Sequence, residues 1–167
     1  MNPVIYYHPE AYTTSGPKLM GRNAAGESFL RGYLTHSHAS AFWSQVQKQE
    51  HGQYFAAQVK AQGRSETVHA VTPHNLGALA QAGLVYYPGP GIGQHAFHRV
   101  AATGAHTGWS LCGITHTTSS AGAMDALSEL ITAPVQPWDA VICTSTAVKD
   151  NVTRLLQAQA NMLKERL

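Results

Sequence analysis

The stretch Gly113-Ile114-Thr115-His116-Thr117-Thr118-Ser119-Ser120 ends a short apolar run with a histidine set among hydroxyl side chains. An imidazole titrates near neutrality and can hydrogen-bond a substrate hydroxyl or polarise a reacting group, so His116 is the first candidate for chemistry. If the run is a strand in an open α/β sheet, His116 stands at its carboxyl end, where ligands bind in such folds. The alternative is a turn whose serines and threonines cap the next helix. A second candidate is the polar segment 10–26, which carries Lys18, Gly21, Arg22 and Gly26. Read as a strand-to-helix connection it runs to seventeen residues, against about two to six in most α/β units, and long loops there are usually functional or disordered. With Gly26 placed just before a helix, the N–H groups of Glu27 and Ser28 would face an anion at the positive helix end.

Other motifs carry less. Gly89, Gly91 and Gly93 follow an apolar run, yet a dinucleotide fingerprint would need its third glycine at 94, which is Gln94. The pairs His36/His38 and His95/His98 have ligand-like spacing but lack Cys, Asp or Glu partners nearby, so no metal and no cofactor is assigned. No Walker loop, nucleophile elbow or close carboxylate pair occurs.

These candidates must be held by a modest core. The chain has 167 residues, 44% of them hydrophobic, which suits one domain spanning 1–167 and is short for two sizeable ones. Only 12% are charged and the net charge is +2 with no basic stripe, which argues against nucleic acid as a partner. No apolar run reaches the roughly 18–20 residues of a membrane helix, and the first ten residues lack signal-peptide character, so a cytoplasmic protein is expected. Cys112 and Cys143 lie in apolar runs and are read as buried reduced thiols.

Hydrophobic patterning alternates along the chain. Residues 3–9 read as a strand, and 27–37 as a helix with Phe29, Leu30, Tyr33 and Leu34 on one face. Segment 39–63 reads as one or two helices bent near Gly52. Residues 66–71 read as a strand, 72–83 as a helix with Thr72 as N-cap and Pro73 first, and 84–88 as a third strand. A weak helix at 91–104, a strand at 109–117, a helix at 121–132 with Met124, Leu127, Leu130 and Ile131 inward, a strand at 138–145 and a final helix at 147–167 complete the pattern. Val148, Val152, Leu155, Leu156 and Leu163 share one side of that last helix. Strands alternating with helices imply parallel pairing through right-handed crossovers, hence a Rossmann-like three-layer α/β/α sandwich with a mainly parallel sheet. Strands 4–8, 110–116 and 139–144 are expected among its central ones.

Segments 15–33 and 113–152 together resemble the amino-terminal half of a retaining glycosyltransferase of the GT-B fold, in the large family 4. In that family the first strand leads into a glycine-bearing loop and a helix, a later strand ends in a histidine, and the next ends in an apolar residue followed three places on by serine. Gly21 and Gly26 fill the loop here, His116 the first strand end and Ser145 the second. The resemblance implies transfer of a sugar from a nucleotide diphosphate sugar to an acceptor hydroxyl, with retention of anomeric configuration. It implies that His116 contacts the donor sugar, with Thr117 and Ser145 beside it as donor- or acceptor-binding residues. The first loop would approach the diphosphate, where Lys18 and Arg22 offset its charge. The family's second domain, with its acidic E-x7-E donor motif, has no counterpart in these residues. The expectation is therefore an amino-terminal, acceptor-side half, inactive alone. The alternative is a stand-alone α/β module that binds a small phosphorylated ligand or a protein partner.

Overall fold

Val4 and Ile5, β-branched and fully buried, open β1 (Val4–Tyr6), the strand around which the first part of the chain is built. The computed structural model describes residues 2–15 and 20–167, which group into two compact units, residues 1–88 and 89–167.

In the first unit, β1 leads through a 3-10 turn (Pro9–Ala11) to α1 (Gly21–His36). Then come β2 (Ala41–Gln45), α2 (Gln49–Ala61), β3 (Thr67–Val71), a 3-10 helix (Pro73–Gln81) and β4 (Leu84–Tyr86). The strands lie in the order β3-β2-β1-β4, every pairing parallel. The register Phe42↔Val68 and Ser44↔Ala70 puts these four side chains on one face. Tyr33 of α1 meets the Phe42 ring edge-on at 5.7 Å, and Gly52 of α2 lies against Ala70 on the same face. This is what right-handed crossovers produce when β1, β2 and β3 step in one direction. After β3 the chain returns to the other side of β1, so the direction of winding reverses between β1 and β4.

The second unit holds α3 (Ile92–Thr103), β5 (Ser110–Thr115), α4 (Ala121–Ser128) with a 3-10 turn (Glu129–Ile131), β6 (Ala140–Cys143) and α5 (Thr146–Arg166). β5 and β6 are parallel, with Thr115 opposite Cys143. Arg99 of α3 is wholly buried at the amino end of this pair. Its Nη1 donates to Asp139 Oδ1 (2.8 Å) and the Trp109 carbonyl (2.7 Å), and its Nη2 to Asp139 Oδ2 (2.8 Å) and the Pro134 carbonyl (3.3 Å). Asp139 also accepts the N–H groups of Leu111 and Gln136 at 2.9 and 2.8 Å. One ion pair thus ties α3 to the entrances of both strands.

All six strands pair in parallel and helices flank them, which is the Rossmann-like α/β class expected. Six local expectations are corrected. Residues 41–45 are a strand, not part of a helix. Phe42 and Val46 are four apart, a spacing that puts two side chains on one side of a helix and equally on one face of a strand. Helix α1 starts at Gly21 rather than after Gly26, so the connection before it is shorter. The helix after Thr72 is 3-10, with Asn75 in a non-helical conformation, and the Thr72 side chain makes no cap bond. Strand β6 is an edge strand rather than a central one, and Ile142 on it is 45% exposed. On α4 and its 3-10 extension Leu127 is buried, but Met124 and Leu130 are half-buried and Ile131 is exposed. Both cysteines are free and half-buried, and burial raises the Cys112 thiol above its ordinary pKa.

Candidate functional site

Loops beyond the carboxyl ends of parallel strands are where this class of fold places ligands, most of all where the winding reverses. In the first unit that point lies between β1 and β4. Tyr7 and His8 follow β1, Tyr87 follows β4, and Gln45 closes β2. Tyr87 Oη donates to Gln45 Oε1 at 3.0 Å, and Gln47 Nε2 donates to Tyr6 Oη at 3.0 Å. Tyr7 stacks on Tyr12 and meets Phe55 edge-on. Burial, with smaller contributions from Tyr86 and Tyr7, raises the Tyr12 hydroxyl well above the ordinary tyrosine pKa, and that hydroxyl donates to the Tyr6 carbonyl at 2.9 Å. His8 lies edge-to-face with buried His51 of α2, their ring centres 4.7 Å apart. None of these residues was a candidate from sequence. Their signal was the run Tyr6-Tyr7-His8 at a strand end; the helical reading of 39–63 hid Gln45 and Gln47.

Helix α1 departs from the expected anion site in a specific way. Gly26 is its sixth residue and is buried, so the N–H groups of Glu27 and Ser28 sit inside the helix. A Cβ at Gly26 would stand 2.1 Å from the Ala11 carbonyl oxygen, which is the physical reason for glycine there. The positive end is instead formed by Gly21 and Arg22, both exposed, with no acidic residue in the first turn. Asn23 fixes this end: its Oδ1 accepts the Met20 N–H at 3.1 Å and its Nδ2 donates to the Glu10 carbonyl. Among the described residues no atom lies within 4 Å of a Cβ built on Gly21. Lys18 lies outside the described residues.

In the second unit the structure places His116, Thr117 and Ser145 at one end of the β5–β6 pair. His116 directly follows the last residue of β5 and is half-buried, while Thr117 is exposed. Thr115, fully buried, donates its hydroxyl to the Ile142 carbonyl at 3.0 Å and so joins the two strand ends. Thr117 Oγ1 and Ser119 Oγ are 2.8 Å apart, and Thr117 Oγ1 also accepts the Ser119 N–H at 3.1 Å. Ser120 is the N-cap of α4, accepting the Ala123 N–H at 3.3 Å, and Ser145 is the N-cap of α5, accepting the Val148 N–H at 3.2 Å. The strand-end and helix-cap readings of 113–120 are both correct, at different residues.

Among the glycines at 89–93, Gly93 is the one held by close packing. The Gly89 carbonyl accepts the Ile114 N–H at 3.0 Å, and a Cβ on Gly113 would stand 2.6 Å from that oxygen. A Cβ on Gly93 would meet Ala133 and the Glu129 carboxylate at 3.0 Å. His95 and His98 share α3 with ring centres 5.9 Å apart. Desolvation, reinforced by His98, lowers the His95 pKa to about 4. Among the described residues no group of three His, Cys, Asp or Glu is placed to hold a metal ion, and no helix is long and apolar enough to cross a membrane.

Comparison with protein-family models, with curated proteins and with solved structures finds no match.

Proposed function

We propose that this chain is the amino-terminal, acceptor-side part of a retaining glycosyltransferase, which moves a sugar from a nucleotide diphosphate sugar to an acceptor hydroxyl in cytoplasmic carbohydrate biosynthesis. The observation that carries the reading is the placement of the family-like residues: His116 and Ser145 both stand just beyond the carboxyl ends of adjacent parallel strands. There an imidazole can accept or donate a hydrogen bond to the transferred sugar, a contact that strengthens as charge develops at the anomeric carbon. In the first unit, the exposed start of α1 with Arg22 suits an anion such as a diphosphate. The same feature supports the second reading, a module binding a phosphorylated ligand. The two differ in what happens to a donor.

The test is the gene's complete reading frame, expressed and incubated with a panel of nucleotide diphosphate sugars and hydroxyl acceptors. Nucleoside diphosphate release with a retained anomeric product is expected. His116→Ala should lower kcat by roughly ten- to a thousandfold, the range for losing one polar contact to a transition state, with an unchanged melting temperature. Absence of release from every donor, or full turnover by His116→Ala, would overturn the proposal.

A further inference from the structure

Residues 116–120 carry five polar side chains on a short connection, and their ties are unequal. Thr115 anchors the entry to β6, and Ser120 anchors the exit to α4. Between them, the Thr117–Ser119 contacts are local and tie these two residues only to each other. A side-chain bond reaches out from the middle: Asn151 Nδ2 of α5 donates to Thr118 Oγ1 at 2.8 Å, across 33 positions of sequence. Both partners are half-buried, so the bond is shielded from competing water on part of its surface.

Asparagine is a poor choice for a helix interior, where it competes for backbone hydrogen bonds and favours caps and turns. It stands here one residue before Val152, the buried anchor of α5, and α5 is already packed through Val148, Val152, Leu155 and Leu156. Holding the helix therefore needs no amide at 151. Holding the loop does, because Thr118 is two residues from His116 and has no other side-chain bond among the described residues. The same helix is capped by Ser145, so one element meets both the β6-end loop and the middle of the β5-end loop.

We infer that Asn151 and Thr118 are positioning residues, a helix-to-loop brace that presents His116 in one orientation. The inference rests on the reading that His116 contacts the transferred sugar, but its central measurement does not. In the 167-residue chain, Thr118→Val and Asn151→Ala should speed amide exchange at Thr117, Thr118 and Ser119 by tenfold or more. They should also shift and broaden the His116 ring signals in NMR, whereas Thr118→Ser, which keeps the oxygen, restores both. In the complete enzyme Asn151→Ala should lower kcat about tenfold with KM changed less than threefold, and Thr118→Ser should recover it. Unchanged exchange and unchanged His116 signals in both Thr118→Val and Asn151→Ala overturn the brace, whatever happens to the melting temperature. If the brace variants loosen the loop as expected while the wild-type enzyme turns over no donor, the glycosyltransferase reading fails and the brace stands.

Discussion

Replacing Arg99 by methionine keeps most of the aliphatic stem and removes the guanidinium. Asp139 would then be a carboxylate with a 1% exposed side chain, held only by the Leu111 and Gln136 N–H groups, while the Trp109 and Pro134 carbonyls lose a donor. Removing one partner of a buried ion pair costs about 3–5 kcal/mol, because the remaining charge stays desolvated. The two surviving backbone donors place Asp139 at the lower end, so about 3 kcal/mol is expected for Arg99→Met. Adding Asp139→Asn removes the orphaned charge, and the double variant should be more stable than the sum of the single losses by about 1–3 kcal/mol, the coupling usual for residues in direct contact. Urea unfolding followed by fluorescence of buried Trp109, with Trp43 and Trp138 changed to phenylalanine, measures each term. A loss below about 1 kcal/mol for Arg99→Met would refute the reasoning, since it would mean that the pair behaves like a solvated surface bridge despite its burial.

Gly26→Ala should destabilise the chain by about 1–3 kcal/mol, because the new methyl meets a backbone oxygen that cannot rotate away. Gly32→Ala, on the same helix with open space, should stabilise it by about 0.5–1 kcal/mol; denaturation midpoints of the two variants decide whether packing or helix propensity rules there. His95 has a folded pKa of about 4 against an ordinary 6.5, so the unfolded chain binds more protons between those values. Its contribution is complete above pH 6.5 and is lost as pH falls towards 4, by up to about 3 kcal/mol, and His95→Gln should flatten that acid limb. The 167-residue chain alone should release no nucleoside diphosphate from any common donor at high protein concentration; robust transfer would contradict the need for a second substrate-positioning domain.

The α/β alternation was legible because the helices read at 27–37, 121–132 and 147–167 carried apolar stripes, and the runs around Val85, Leu111 and Val141 were too short for anything but strands. What misled was chemistry shared by two conformations. The pair Phe42 and Val46 satisfied a helix turn as well as a pleat, and only pairing with β1 and β3 separates them. Gly21 and Gly26 signalled a loop by propensity, yet Gly26 serves close approach inside a helix, a tertiary demand that local sequence does not encode. His116 and Ser145 were placed correctly because a strand end followed by a cap is a local event. Asn151 was not, because its partner lies 33 positions away.

The outer edge of β6 has a consequence for how copies of the chain behave together. Ala140-Val141-Ile142-Cys143 carries no charge and no proline, the two devices that usually blunt an edge strand, and Trp138 and Ile142 beside it are 47% and 45% exposed. Asp139 would be the natural gatekeeper, but Arg99 holds it inward. The arrangement that orders the strand entrances therefore also disarms the nearest charge, and self-association that rises with concentration is the expected outcome, to be checked by light scattering across a dilution series. Lysine at 142 would restore a gatekeeper on the exposed position without touching the buried pair.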